Sequence, residues 1–343
     1  MKPLLNTLYV TTQGSWLSRE GEAIAVRVEQ ETRIRVPVQT LSNVVCFGAV
    51  SCSPFAMNLC AANGVGLSFL TENGRFLARV QGPIAGNVLL RRRQYKWADD
   101  PERARSITHS IVLAKVANCR TVLLRAAREK PNTPGSVELN QAALRLSTLG
   151  ADLQRASDVD SLRGHEGDAA RVYFGVFQNL VIADVPEFAF HGRSRRPPLD
   201  NMNALLSFLY TLLTSDITSA LESVGLDPAV GFLHRDRPGR HSLALDLVEE
   251  LRPVVADRLA LTLVNRRQIS ASGFRKAETG GIAMDDETRK GVLVAYQKRK
   301  QDEIIHPFLN ERVPMGLIPH LQATLLARHL RGDLDGYPSF LWR

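Results

Sequence analysis

A glutamate, a histidine and a small group of carboxylates are the residues whose types and surroundings point to chemistry in this 343-residue chain. Glu166 lies in the run Gly164-His165-Glu166-Gly167-Asp168-Ala169-Ala170-Arg171-Val172-Tyr173-Phe174. On a helix it shares a face with Ala170 and Tyr173. Both look core-directed, and a glycine-marked helix start at Gly164 would place Glu166 near the interior at a helix N-terminus. A carboxylate there is costly unless it is paired or binds a cation. Its flanking glycines would let a bulky ligand come close. The plainer alternative is a glutamate that only serves the helix dipole. His234 ends the apolar segment Gly231-Phe232-Leu233-His234, and Asp246, Glu249 and Glu250 follow on one helix, crowded on one side. One Glu, one His and one further carboxylate suit Mg²⁺ or Mn²⁺, with positions left open for water and phosphate oxygens. From the residues alone, a solvated acidic face and an ordinary histidine stay open as alternatives.

Arginines flank these candidates. Arg91, Arg92, Arg93 and Lys96 form one cluster, Arg193, Arg195 and Arg196 a second, and Arg235, Arg237 and Arg240 a third. Arg266 with Arg267, and Lys298-Arg299-Lys300, are two more. Arginine clamps phosphate well because its fork meets two oxygens at once. Formal net charge is +8, with a pI of about 9.6. Residues 1–80 hold seven Lys or Arg against five Glu, so most of the excess lies further on. A polyanionic partner is the first expectation. Other chemistries lack their signatures. There is no Walker-type loop, no GxGxxG opening a helix and no GxSxG elbow. The four cysteines have no CxxC spacing, and the reading is reduced, buried thiols in a cytoplasmic protein. The longest nearly apolar stretch, residues 204–213, is far short of the roughly 20 residues a membrane helix needs. No secretory signal is legible at the start.

The elements that must carry these residues fall into two parts. Residues 1–80 read as β-rich, with strands over 8–12, 23–28, 34–38, 67–70 and 76–80, and a hairpin turn at Asn73-Gly74. One helix interrupts them, capped by Ser53, with Pro54 in its first turn and Gly64 as its stop. From about residue 84 the period turns helical. Helices are expected over 87–97, 101–128, 142–156, 164–182, 201–224, 242–267, 288–300 and 318–331. Pro253 should kink or break the sixth of these, because it cannot donate to the Glu249 carbonyl. Residues 130–135 and 191–199 read as loops. The expected fold is α+β: a β-rich N-terminal domain, residues 1–83, and a larger all-α catalytic domain, residues 84–343.

Each constellation is weak alone, but their order and wording resemble one family, the CRISPR-associated endonuclease Cas1, the integrase of spacer acquisition. The resemblance is carried by Lys115-Val116-Ala117-Asn118-Cys119-Arg120 and Leu162-Arg163-Gly164-His165-Glu166-Gly167. It continues in Arg196-Pro197-Pro198, Asn203-Ala204-Leu205-Leu206-Ser207-Phe208, Gly231-Phe232-Leu233-His234, and Leu245-Asp246-Leu247-Val248-Glu249-Glu250-Leu251-Arg252-Pro253. The tail from His306 onward looks like the subtype I-C branch. The resemblance implies Glu166 and His234 as metal ligands and Glu249, where many members carry aspartate, as the third. Asp246 would assist one helical turn earlier. It also implies Mg²⁺ or Mn²⁺ as cofactor, and double-stranded DNA as substrate, both as captured fragment and as repeat. The partners it implies are a second copy of the chain, a Cas2 dimer and a Cas4 nuclease. Arg91, Arg92, Arg193, Arg195, Arg196, Arg235, Arg237 and Arg240 are the DNA-contact candidates. Two other readings stay beside it: a non-catalytic DNA-binding scaffold, and a junction-resolving repair nuclease.

Overall fold

The computed structural model describes residues 6–72, 74–82, 88–129, 131, 133–278 and 280–342. The expected domain boundary at 83/84, Asn87, the Asn73 half of the hairpin turn, Lys130 and Asn132 of the expected loop, and the terminal Arg343 lie outside the described residues.

The N-terminal part holds β1 (Thr7–Val10), β2 (Trp16–Glu20), β3 (Ala23–Val28), β4 (Glu31–Pro37), β5 (Asn43–Phe47), β6 (Ser51–Cys52), α1 (Pro54–Ala62), β7 (Gly66–Leu70) and β8 (Phe76–Val80). They make two four-stranded sheets, ordered β1-β5-β7-β8 and β4-β3-β2-β6. Helix α1 begins as the sequence predicts: Ser53 Oγ accepts from the Ala56 N–H at 3.2 Å and Pro54 opens the first turn. Val10, Leu17, Ile24, Val44, Cys46, Leu59 and Leu67 fill the space between the sheets and α1.

Strand β5 has no legible alternation because both its faces are covered. Val44 and Cys46 point into the inter-sheet core, while Val45 and Phe47 point into the helical core. Phe47 meets Phe208 with ring centroids 5.8 Å apart. Polar ties reinforce this seam. Lys300 Nζ donates to Thr7 Oγ1 at 3.3 Å, Arg79 pairs with Glu222, and Ser219 donates to Asn43 at 2.6 Å.

The helical part comprises α2 (Val88–Asp99), α3 (Pro101–Glu129), α4 (Pro134–Asp152), α5 (Val159–Gly175), α6 (Asn201–Ser223), α7 (Ser242–Arg252), α8 (Arg258–Asn265), α9 (Asp286–Gln301) and α10 (Ile318–Arg331). Between α7 and α8 the chain runs through a π-helical turn, Pro253–Asp257, the break that Pro253 foretold. Three expectations need correction. Helix α5 starts at Val159, not Gly164: Asp158 caps it, accepting from Ser161 N at 2.7 Å. The two glycines therefore lie inside the helix, and Glu166 is two turns in rather than at its start. Helix α4 starts at Pro134, earlier than expected, behind a Thr133 cap. The part beyond residue 84 is not all-α. It carries antiparallel hairpins β9–β10 (Phe274–Lys276, Ile282–Met284) and β11–β12 (Glu303–Ile305, Arg312–Pro314). Helices α3 and α6 are long and apolar enough to pass as membrane spans by composition, although no single run of the sequence suggested it. Most of each apolar window is buried among other helices, as in a protein core.

Helix α3 is the hub. It packs against α4, α5 and α7. Its buried stripe runs Ile107, Ile111, Val112, Lys115, Asn118, Cys119, Val122. The four cysteines are free and buried, as expected, and burial pushes the Cys52 and Cys119 thiols up to about 12 and Cys60 to about 11.

Candidate metal and phosphodiester site

Three helices, α3, α5 and α7, meet at the site. Glu166 projects from the middle of α5, still partly exposed. Glu249 projects from the last turn of α7 and is buried. Between them sits Lys115 of α3, fully buried, its ammonium paired with Glu166 and 2.5 Å from Glu249 Oε2. Arg252 Nη1 approaches both Glu249 oxygens at 3.3 Å. The Arg252 guanidinium is itself held over the rings of Tyr210 and Phe174, at 5.4 and 5.7 Å from their centroids. Burial alone would raise the Glu249 carboxyl; the charges of Arg252, Lys115 and His234 outweigh it and hold it down at about 2. Glu249 is therefore an ionised carboxylate at any ordinary pH.

His234 belongs to a loop that Asp246 organises. Asp246 is fully buried and accepts four hydrogen bonds. Its Oδ2 takes Phe232 N at 2.6 Å and Leu233 N at 3.0 Å; its Oδ1 takes His234 N at 2.9 Å and His234 Nδ1 at 2.7 Å. With Nδ1–H committed to the carboxylate, Nε2 is the nitrogen left for the site. Gly231 is required here. A Cβ would lie 2.8 Å from both Asp246 Oδ2 and the Ser242 carbonyl carbon. Two further side chains hold the loop. Arg163, one turn before Glu166 on α5, donates to the Leu233 carbonyl at 3.0 and 2.7 Å. Gln94 of α2 donates to the Asp227 and Val230 carbonyls at 2.8 Å each.

The acidic trio on α7 is buried throughout, not a solvated face. Its members point to different tasks. Asp246 has its oxygens saturated by the His234 loop. Glu250 faces away from Glu249 and receives Tyr337 Oη, Gln322 Nε2 at 3.2 Å and Phe340 N at 2.8 Å. Only Glu249 shares a partner, Lys115, with Glu166. Asn118, one turn after Lys115, donates to the Glu250 carbonyl at 2.7 Å and to Phe340 at 2.8 Å, so α3, α7 and the C-terminal segment are tied together.

As they stand, no three His, Cys, Asp or Glu side chains among the described residues already surround one point as a metal cluster. The donor chemistry nevertheless fits a divalent ion. Two carboxylates from separate helices converge on a single cation, the Lys115 ammonium, and the His234 imidazole lies within electrostatic range of Glu249. Oε2 of Glu249 is buried and makes no well-angled hydrogen bond despite the lysine beside it. Such an oxygen suits a spherical cation better than a directional donor.

The arginine candidates divide. Arg92, Arg195, Arg196, Arg235 and Arg237 are exposed, and Arg91 and Arg240 are half-buried. Arg235 lies next to His234 in sequence, and its Nη2 donates to both Asp160 oxygens at 3.0 Å. Arg193 instead turns inward, donating to Asn203 Oδ1 at 2.6 Å and Ser207 at 3.1 Å while stacking on Tyr210. Lys115, Asn118, Arg163 and Arg252 stand within the sequence motifs, where the sequence assigns them no role. The available signal was a lysine and an asparagine on the apolar stripe of α3, where a polar residue needs a buried partner.

Residues 8–298 match the model of the family described as CRISPR associated protein Cas1. The chain is 53% identical, over the full length of both, to CRISPR-associated endonuclease Cas1 1 of Chlorobaculum tepidum. It is 55% identical, again over both full lengths, to CRISPR-associated endonuclease Cas1 2 of Rhodospirillum rubrum. A Cas4 exonuclease/Cas1 endonuclease fusion of Rhodospirillum rubrum shares 36% identity over 97% of this chain and 57% of its own. The structure of a Cas1 protein from Thermotoga maritima matches with a TM-score of 0.81 at 25% identity, covering 95% of this chain and 97% of that one. A chain of a Cas6-RT-Cas1–Cas2 complex matches at 0.82 and 23% identity, covering 98% of this chain and 36% of that one, which shows a shared fold. The chain belongs to the Cas1 family of CRISPR-associated endonucleases.

Proposed function

We propose that this Cas1-family endonuclease acts at Glu166, His234 and Glu249 as a metal-dependent DNA integrase of CRISPR adaptation. It joins the 3′-hydroxyl of captured DNA to a phosphodiester at the repeat boundary by transesterification. With water as the attacking group, the same site cuts DNA. The observation that carries this reading is the convergence of Glu166 and Glu249 on one cation beside a histidine whose Nδ1 is locked by Asp246. A bound Mg²⁺ or Mn²⁺ would supply Lewis-acid polarisation of a phosphate oxygen and offset charge on the attacking or leaving oxygen. Asp246 is a positioning residue that fixes the ring of His234, and Arg252 holds Glu249 ionised and in place. Arg195, Arg196, Arg235, Arg237 and Arg240, with Arg91 and Arg92, track the phosphate backbone. Arg193 supports the 191–199 loop from within. Catalysis is mainly positioning and electrostatics, and part of the repeat specificity comes from bending DNA.

The working form is a homodimer of two-domain chains, divided near residue 83, that assembles with a Cas2 dimer and a Cas4 nuclease in the cytoplasm as a subtype I-C system. The Cas4–Cas1 fusion supports the Cas4 link. The outer strand β4, exposed along nearly its whole length, offers an edge for the partner chain. The test is strand transfer of a short duplex into repeat DNA with Mn²⁺, comparing wild type with Glu166→Ala and with added EDTA. Loss of product in both supports the reading. DNA binding that ignores chelator and substitution, with no product from wild type, would favour a scaffold, and a strong preference for branched over linear DNA would favour junction resolution.

A further inference from the structure

Lys115 is fully buried on the middle of α3, and both its charged partners are the carboxylates of the proposed metal site. Putting an ammonium on a core stripe is expensive. Here it lies where two carboxylates from different helices would otherwise repel across a buried space. The oxygens it occupies, Glu166 Oε1 and Glu249 Oε2, are the ones an incoming cation needs. Ammonium and divalent ion cannot share them. Nor is the local charge short of positive groups, since Lys115 and Arg252 already balance Glu166 and Glu249. A divalent ion entering alone adds two positive charges to a balanced site. A phosphodiester brings one negative charge back and gives the released ammonium a partner.

We propose that Lys115 is a resident counter-ion of the metal site, a positioning residue that holds Glu166 and Glu249 in register without metal, competes with the metal for them, and thereby makes metal binding depend on DNA phosphate. This rests on the metal-site reading above. Metal and DNA then bind cooperatively, and by linkage each strengthens the other equally.

The test is Mn²⁺ binding to the full chain, followed by electron paramagnetic resonance of free Mn²⁺, with and without a short duplex, after subtracting Mn²⁺ bound by the duplex alone. In wild type, DNA should tighten Mn²⁺ binding by about tenfold or more. Lys115→Met should bind Mn²⁺ about tenfold tighter without DNA and gain much less from DNA. Its metal-free form should melt lower than wild type and be raised further by Mn²⁺. Lys115→Arg, which keeps the charge, should retain the wild-type pattern. A direct phosphate–metal contact would strengthen binding in every variant, whereas displacement of Lys115 loses its effect in Lys115→Met. The inference is overturned if Lys115→Met melts lower but binds Mn²⁺ no tighter, or gains from DNA as much as wild type does. If Lys115→Met does not fold without metal, Lys115→Gln takes its place with the same expected and overturning results, and absence of any gain from DNA in wild type also overturns the inference. Unchanged Mn²⁺ binding in Glu166→Gln would instead reject the metal-site reading itself.

Discussion

Asp246→Asn separates the two carboxylates on α7 that could serve as the third ligand. The aspartate accepts from three backbone N–H groups and one imidazole N–H. An asparagine has one carbonyl oxygen, so its NH₂ must face either the Phe232 and Leu233 N–H groups or the His234 side. Two charge-assisted bonds are lost and donors are set against donors. At about 1.5–3 kcal/mol for each hydrogen bond to a charged group, the loss is about 3–6 kcal/mol, which overlaps the about 3–5 kcal/mol seen when one partner of a buried pair is removed. The freed imidazole also loses its fixed tautomer, and second-shell changes of this kind cost about 10–100-fold in metal affinity or activity. Urea unfolding and a Mn²⁺ titration of the same preparation read both effects. Glu249→Gln should behave differently, losing Mn²⁺ affinity while the 231–234 loop stays intact. The reasoning is refuted if Asp246→Asn unfolds at the wild-type midpoint, or if it retains wild-type Mn²⁺ affinity and cleavage.

Gly231→Ala drives a methyl into Asp246 Oδ2 and the Ser242 backbone. It should lower both stability and activity, read by thermal melting and nicking, whereas Gly164→Ala, with open space around it, should fold normally. The Glu250 carboxyl is pushed up by burial to about 7, against the hydrogen bonds from Tyr337, Phe340 and Gln322. The unfolded carboxyl titrates near 4.5, so the folded form binds more protons between these values and stability falls as pH rises through that window. Measured from pH 5 to 8, the wild-type decline attributable to this group is up to about 3 kcal/mol. Glu250→Gln should lack it while being less stable at low pH, its NH₂ facing Phe340 N–H.

The sequence carried helices with a long apolar period or a clear cap, as in α6, α10 and α1 with its Ser53 cap. It failed on a short strand covered on both faces. Strand β5 has no period of two because sheet and helices pack on opposite sides of it. The start of α5 was misplaced because Gly164 and Gly167 look like a boundary, while the true cap, Asp158, sits six residues upstream. The short hairpins β9–β10 and β11–β12 are three residues a strand, too few to show alternation. At the site, Glu166, His234 and Glu249 were nameable as residue types in order. The residue pattern alone does not sort Glu249 from Asp246 and Glu250, and only the family resemblance separates them, since three neighbouring carboxylates on one helix reveal their tasks through partners far along the chain, in the 231–234 loop and at Tyr337 and Phe340. Lys115 was hidden for the same reason: its carboxylate partners stand 51 and 134 positions away.

The most direct test of the central claim is the anomalous-scattering position of Mn²⁺ in crystals of the chain with a short DNA duplex. The account predicts one strong peak bounded by Glu166, His234 Nε2 and Glu249, with Asp246 still bonded to His234 Nδ1 and Lys115 moved off the two carboxylates. A peak elsewhere, or a peak coordinated by Asp246 with Lys115 still seated between Glu166 and Glu249, would contradict it.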